Sequence, residues 1–170
     1  MKKAFLLVAF VVGFAAVSAA SVVWAATTGN VAATVTVENI SVTVTDGTVA
    51  YGTMALNTIK STTTTIDTQT VTNNGNVSVD LTVRGSSTTP GNWGLSSTAG
   101  SSIYVHKFCT TTCTSAANYT AMNSSTYTNM KSDLTTTTPT QSMDLLINTP
   151  TAVADYTQQS MVVTVSAAAH

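Results

Sequence analysis

Few residues of this sequence have side chains suited to covalent chemistry or catalysis, and their spacing favours a single disulfide bond. Cys109 and Cys113 are the only cysteines, in the motif Cys-Thr-Thr-Thr-Cys. In an exported chain, which the N-terminus described below predicts, two cysteines and no others indicate a disulfide. A metal site would need further ligands of the same kind, and redox motifs favour a two-residue gap. The pair therefore predicts a structural bridge across the tip of a tight loop.

The histidines and carboxylates are too dispersed to define an active site. His106 lies within an apolar run beside Lys107, where a surface or satisfied core position is expected, and His170 is the last residue. No motif selects a close carboxylate pair for glycoside hydrolysis, and there is no closely spaced Asp loop for calcium and no Gly-x-Ser-x-Gly turn. We expect no enzyme activity, no cofactor and no metal site. The carboxylates are Glu38, Asp46, Asp67, Asp80, Asp133, Asp144 and Asp155.

The composition excludes several classes of protein. Only 8% of the 170 residues are charged, against about a quarter in ordinary soluble domains, so the basic surface of a nucleic-acid-binding protein is missing. Glu occurs once, which excludes a coiled coil, and the 44% hydrophobic content argues against charge-driven disorder. The chain contains 36 Thr and 18 Ser. Threonine and valine are β-branched and favour strands.

The N-terminus predicts export. Lys2 and Lys3 precede an uncharged apolar stretch, residues 4–25, that ends in small residues, as in a secretory signal. We expect a signal peptide at 1–25 cleaved after Ala25, with an earlier site after Ala20 and an uncleaved membrane anchor as alternatives. Residues 26–170 are then one secreted domain, extracellular or on the cell surface, that meets the membrane only through the signal segment.

Alternating apolar residues predict an all-β fold. The clearest strands lie at 77–83, 103–108, 143–147 and 161–165, with weaker ones at 49–54, 66–72, 92–96 and 118–122. Turn residues separate these runs, and the Thr runs at 62–65 and 135–138 are expected to be edge strands or loops. The pattern is typical of an antiparallel Ig-like or jelly-roll β-sandwich of about seven to nine strands after an N-terminal signal helix. A closed barrel is the alternative.

The first segment after the signal, residues 31–45, has an unusual pattern. Its apolar residues occupy odd positions first and even positions later, so a bulge or break is expected near Glu38. The segment could be the first strand of its own sandwich, or it could be donated to a neighbouring subunit. The candidate subunit-contact residues are Val31, Val35, Val37, Ile40, Val42 and Val44.

A turn and the strand after it carry a family resemblance. Residues 70–83 read Thr-Val-Thr-Asn-Asn-Gly-Asn-Val-Ser-Val-Asp-Leu-Thr-Val, and Gly91-Asn92-Trp93 follows. This run resembles Ig-like sandwich domains of secreted bacterial and archaeal surface proteins, including filament-forming subunits of the TasA/camelysin kind. The resemblance implies a jelly-roll or Ig-like sandwich whose subunits join by strand donation. No metalloprotease motif is present, so the proteolytic activity attached to some camelysin-like names has no support.

Two functions follow as hypotheses. The first is a structural subunit of an extracellular filament, pilus or surface layer that assembles as a homopolymer by β-strand donation. The alternative is a monomeric secreted module that binds carbohydrate or a cell surface through Trp93 or an exposed tyrosine. Sequons provide candidate glycosylation sites, at Asn39, Asn76, Asn118 and Asn123.

Overall fold

The computed structural model describes residues 29–170, so the expected signal peptide at 1–25, with its helix, lies outside the described residues. The chain divides into two units, residues 1–35 and 36–170. The described part of the first unit, residues 29–35, has no regular secondary structure. All the strands found in residues 29–170 lie in the second unit. Within residues 29–170, no helix has the length and apolar character needed to cross a membrane.

The larger of two β-sheets has seven strands. They are β1 (Val42–Thr45), β2 (Ile59–Ser61), β3 (Gln69–Asn73), β5 (Gly94–Leu95), β6 (Ile103–Cys109), β7 (Thr120–Ala121) and β9 (Thr140–Asn148). Its main path is β1-β3-β9-β6-β5, with β2 paired to β9 and β7 paired to β6. Every pair is antiparallel except β5 with β6, which is parallel.

The smaller sheet has three antiparallel strands in the order β10-β4-β8. They are β4 (Val79–Arg84), β8 (Thr128–Leu134) and β10 (Thr164–Ala169). The turn at Asn73–Asn76 carries the chain from β3 in the larger sheet to β4 in the smaller one. The side chain of Asn73 stabilises this turn, because it accepts from the Gly75 amide (2.9 Å) and donates to the carbonyls of Val77 (2.9 Å) and Leu134 (3.1 Å).

The core lies between the two sheets, as alternation along each strand requires. The fully buried inner face of β4 meets buried side chains of β3, β6 and β9 from the opposite sheet. The predicted antiparallel β-sandwich is therefore confirmed. The ten strands of the described part of the chain include two of only two residues each, β5 and β7. The main core residues are Val71, Val79, Leu81, Val83, Phe108, Met122, Met130, Leu134, Met143 and Leu145.

The clearest alternating runs correspond to strands. β4, β6 and β9 occupy the segments predicted from alternation, and β6 is buried on both faces, as a central strand should be. The C-terminal strand begins later than predicted, at Thr164, because Met161–Val163 precede its pairing with β4. Of the weaker predictions, 49–54 is wrong, since no strand forms there.

The Thr run at 62–65 is a one-turn α-helix, α1 (Thr62–Thr65), and not the expected edge strand or loop. Its hydroxyls explain the difference, because Thr64 donates to the Ser61 carbonyl (2.6 Å) and Thr65 to the Thr62 carbonyl (3.2 Å), which favours a turn over an extended chain. The buried Thr62 hydroxyl donates to Asp144 (2.9 Å) and accepts from the Leu145 amide (2.9 Å), which fixes the helix on β9. The Thr run at 135–138 is a loop, one of the two predicted alternatives.

Candidate assembly surface

The N-terminal segment exposes apolar side chains to an unusual degree. Residues 29–41 contain no strand, so of the bulge or break expected near Glu38 no β-bulge forms, and strand structure begins only with β1 at Val42. The exposed fraction is 93% for Val31, 89% for Val35 and 78% for Val37, whereas Ile40 and Val44 are less exposed. Valine normally gains from burial, and isolated exposed residues need no explanation. Three exposed valines within the seven residues 31–37, however, form an apolar stretch that lacks a packing partner among the described residues.

Val42 belongs to the sandwich and not to this exposed stretch. It pairs with Asn73 at the start of β1 and packs against the hydrophobic core of residues 36–170. The structure therefore divides residues 31–45 into two parts. Residues 42–45 form the first strand of the sandwich, and 31–38 remain outside it.

The Asn73–Asn76 turn anchors the chain between these two parts. The Asn39 amide donates to Oδ1 of Asn76 (2.7 Å), the Asn76 side chain donates to the Val37 carbonyl (2.9 Å), and the Asn76 amide donates to the Asn39 carbonyl (3.0 Å). Gly75 is required by this close approach, since a Cβ there would lie 2.2 Å from the Asn39 carbonyl oxygen. The sequence pattern identified a turn but gave no sign that its side chains hold the N-terminal segment.

Cys109 and Cys113 form the predicted disulfide, with their Cα atoms 5.7 Å apart. Cys109 ends β6 with its side chain on the outer face of the larger sheet, where it packs with Tyr119 and Leu146. The side chain of Asn118 donates to the Thr112 carbonyl (2.5 Å), which closes the loop after the bridge. The bridge therefore holds a surface loop over a small apolar cluster.

His106 is a core residue with one nitrogen satisfied. It is only 2% exposed, and its Nε2 lies 2.9 Å from the Tyr51 hydroxyl, so the two share a hydrogen bond. Its Nδ1 has no partner in the described part of the chain. Burial lowers the pKa of His106 to about 4, because the charged imidazolium would be desolvated. Burial, followed by the charge of Asp67, raises the pKa of Tyr51, and burial raises that of Tyr104.

The other ionisable groups do not converge. Within residues 29–170, no group of three His, Cys, Asp or Glu side chains is placed to hold a metal ion. The exposed side chains of His170 and Asp80 share a hydrogen bond (2.8 Å), which is an ion pair when His170 is protonated. That hydrogen bond raises the pKa of His170, while the Asp133 amide and then His170 lower the pKa of Asp80. This pair joins the end of β10 to β4 at the surface.

The aromatic residues divide into buried and exposed sets. Tyr104 and Tyr119 are buried, so neither ring is available to stack on a sugar. Trp93 is half-buried. Tyr127 and Tyr156 are exposed, and Tyr127 already stacks under the Arg84 guanidinium at 4.8 Å. Tyr156 is therefore the most accessible ring for a carbohydrate.

Two shallow depressions lie on the outer face of the larger sheet, and both include Ile59, Ala116 and Leu146. Their volumes are about 180 and 270 Å³, below the roughly 300–1,000 Å³ of typical small-molecule sites. Both are open and suit contact with a side chain better than enclosure of a small ligand.

The four sequon asparagines are all exposed. The side chain of Asn76 holds the N-terminal segment and that of Asn118 closes the disulfide loop. The Asn123 side chain accepts hydrogen bonds from Ser125, which leaves its amide NH₂ free to face solvent. A glycan at Asn39 or Asn123 would therefore disturb fewer contacts than one at the other two positions.

No family model, curated protein or solved structure matches this chain. Its function is therefore inferred from its own residues. Among those residues, the feature that the fold itself does not account for is the apolar stretch at 31–37, exposed next to an anchored turn.

Proposed function

We propose that this protein is a structural subunit of an extracellular filament, pilus or surface layer, and that it assembles by donating residues 31–37 to a neighbouring copy. The observation that carries the proposal is the exposure of Val31, Val35 and Val37. All three occupy odd positions and would face one side of an extended strand. Burial of each in a neighbour would contribute about 1.5–3 kcal/mol before ordering costs.

The electrostatics support strand exchange between copies. Residues 29–37 carry no charge, and Glu38 is the first charged residue after Lys3. Backbone hydrogen bonds supply affinity when a strand joins a sheet edge, and pockets for alternate side chains supply register. An uncharged donor incurs little desolvation penalty in such a position. The resemblance of residues 70–83 to filament-forming surface proteins points the same way.

Export is part of the proposal. The basic and apolar pattern of residues 1–25 supports a secretory signal, and the Cys109–Cys113 bridge supports an oxidising compartment outside the cytoplasm. Sequencing the N-terminus of the exported protein tests this directly. We expect the mature chain to begin at Ala26. A chain that keeps residues 1–25 and stays in the cytoplasm would contradict it.

The test of assembly uses the full-length sequence expressed with its own N-terminus in a secreting host. Size exclusion and electron microscopy of the exported product should show concentration-dependent polymers. Val35→Asp should abolish them, because it places a charge on the donor face. The matched control is Ile66→Asp, since Ile66 is 94% exposed and Val35 89% exposed, and it should leave polymers intact. A wild-type protein that stays monomeric at every concentration would rule out the proposal.

A deletion gives a second test, and the structure decides where it must end. Removal of residues 26–36 keeps Asn39, its turn and β1, whereas a deletion through Thr45 would remove a strand of the sandwich. The shortened protein should fold and remain monomeric. A peptide of residues 29–41 should then bind to it, because the acceptor is free.

The alternative is a monomeric secreted module that binds a glycan or a cell surface, and the exposed ring of Tyr156 is the observation in its favour. It predicts binding on a glycan array that is lost with Tyr156→Ala and unaffected by Val35→Asp. Strand donation predicts the opposite: assembly is lost with Val35→Asp and unaffected by Tyr156→Ala.

A further inference from the structure

The two edge strands of the smaller sheet, β8 and β10, differ in how completely their apolar side chains are buried. The central strand β4 has a fully buried inner face formed by Val79, Leu81 and Val83. Met130 and Leu134 on β8 are also buried. On β10, by contrast, Val165 and Ala167 pack against the same core but are only half-buried. The sandwich is therefore closed along β8 and left open along β10.

The edge at β8 is protected against further pairing. Its pairing with β4 shifts register twice, and Asp133 adopts a left-handed φ of 51°. Lys131 and Asp133 place charges on it. Bulges and charges are the devices by which proteins protect sheet edges. A neighbouring strand would meet an irregular, charged backbone here.

The edge at β10 has none of these devices. Its six residues, Thr-Val-Ser-Ala-Ala-Ala, are uncharged and contain no proline, and they pair with β4 without a register shift. The edge strands of the larger sheet are shorter, with four residues in β1, three in β2 and two each in β5 and β7. Among residues 29–170, β10 is thus the longest regular edge.

The hydrogen-bond pattern shows which groups of β10 point outward. The His170 amide donates to the Ser78 carbonyl (3.0 Å). Because antiparallel partners alternate between bonded and non-bonded pairs, the backbone groups of Val165, Ala167 and Ala169 face away from β4. Val165 and Ala167 are also the residues of β10 whose side chains pack against the core. A strand added here would use their backbone groups and cover their side chains.

We infer that β10 is the acceptor edge, and that residues 31–37 of a second copy add to it as a fourth strand of the smaller sheet. The inference rests on the proposed function and specifies its binding site. Donor and acceptor match in three respects: both are uncharged, both extend over six or seven residues, and both have apolar residues at alternate positions. Val35 and Val37 would extend the layer formed by Val165 and Ala167.

Cross-linking tests the location. Since the two native cysteines form a disulfide, an introduced cysteine is the only free thiol of the chain. Thr36→Cys in one tagged copy is mixed with Ser166→Cys in another, and a bismaleimide of about 8 Å spans neighbouring and diagonal cross-strand positions. The matched control is Ser132→Cys on β8, the opposite edge of the same sheet. We expect a cross-linked heterodimer with Ser166→Cys and none with Ser132→Cys.

Complementation gives an independent test. Val35→Asp should accept a strand but not donate one. Ala167→Lys, which places an inward charge at the edge, should donate but not accept. Neither variant should polymerise alone, and an equimolar mixture should form heterodimers and no longer chains. Thermal unfolding of each monomer checks that the variants fold. If Ala167→Lys does not fold, cross-linking through Thr36→Cys and Ser166→Cys tests the same site.

The outcomes separate this inference from the proposed function. Polymers could form and yet cross-link only through Ser132→Cys, equally through Ser132→Cys and Ser166→Cys, or through neither. Each of these results would overturn β10 as the acceptor and leave strand donation standing. Polymerisation by Ala167→Lys alone would do the same. A wild-type protein that never assembles would overturn both. An intramolecular cross-link in diluted Thr36→Cys/Ser166→Cys double variant would show that each chain completes its own sandwich, which also overturns both.

Discussion

The backbone amide of Asn39 donates to Oδ1 of Asn76 at 2.7 Å, so the chain entering β1 is held by the turn that leaves β3. Two further hydrogen bonds from Asn76, to the carbonyls of Val37 and Asn39, complete the anchor. This contact separates the exposed residues before it from the packed residues after it. The Asn73–Asn76 turn thus links the two sheets and also positions the proposed donor segment.

Gly75→Ala should break this anchor. The new Cβ would lie 2.2 Å from the Asn39 carbonyl oxygen, and backbone cannot move aside as easily as a side chain. We expect a loss of about 1–3 kcal/mol in the free energy of unfolding, as for other overpacked sites. Hydrogen exchange at the amides of Asn39 and Asn76 should accelerate. Gly29→Ala is the control, because nothing lies within 4 Å of its added Cβ. Unchanged protection of Asn39 in Gly75→Ala would contradict the prediction.

Burial of His106 should make the protein less stable in mild acid. Its pKa falls from 6.5 to about 4 on folding, so the unfolded chain binds a proton that the folded protein does not. The free energy of unfolding should therefore decrease as the pH drops from about 6.5 to 4, by up to about 3 kcal/mol. The ring faces the hydroxyl of Tyr51 and the ring of Tyr104, and neither carries a compensating negative charge in this range.

The measurement is urea denaturation of wild type and His106→Gln across this pH range, compared as a difference. His170, whose raised pKa adds stability that is lost as pH rises, is present in both proteins. The lowered pKa values of Asp80 and Asp155 act at lower pH, around and below their ordinary 3.8. Their effects cancel in the difference. Parallel stability curves for the two proteins would show that His106 is not the group responsible. If His106→Gln does not fold, His106→Leu is used in its place.

Ile66→Gly should raise stability, although it shortens an apolar side chain. Ile66 ends α1 with a φ of 55° and is 94% exposed. The left-handed conformation costs an L-residue about 1–2 kcal/mol, and a β-branched side chain is especially disfavoured there. Glycine removes that cost, but its greater conformational freedom in the unfolded chain lowers the stability by about 0.5–1 kcal/mol. We expect a net gain of up to about 1 kcal/mol, measured by thermal unfolding.

Val162→Gly is the matched control, since Val162 is an exposed branched residue without a positive φ. It should lose stability, because glycine only adds unfolded-state entropy there. If Ile66→Gly also lowers the melting temperature, the left-handed conformation is not a source of strain at this position.

Local patterns in the sequence identified the strands that bury an alternating face. Val79, Leu81 and Val83 alternate with polar residues and form the fully buried inner face of β4. β8 escaped detection because its buried residues, Met130 and Leu134, are four apart and the bulge opposite β4 breaks the two-residue period. The helix at 62–65 escaped detection because threonine favours strands on average, whereas these hydroxyls bond their own backbone and Asp144.

The sequence by itself determined the class of the fold, the disulfide and the presence of an uncharged apolar segment before the first strand. These follow from composition and short-range spacing, which act between residues close along the chain. Only the tertiary structure decided that Val42 is packed while Val35 is exposed, that Asn76 holds Asn39, and that the β10 edge is open while the β8 edge is closed. Those outcomes depend on pairing between distant segments, and no local period of the sequence encodes which strand ends at an edge.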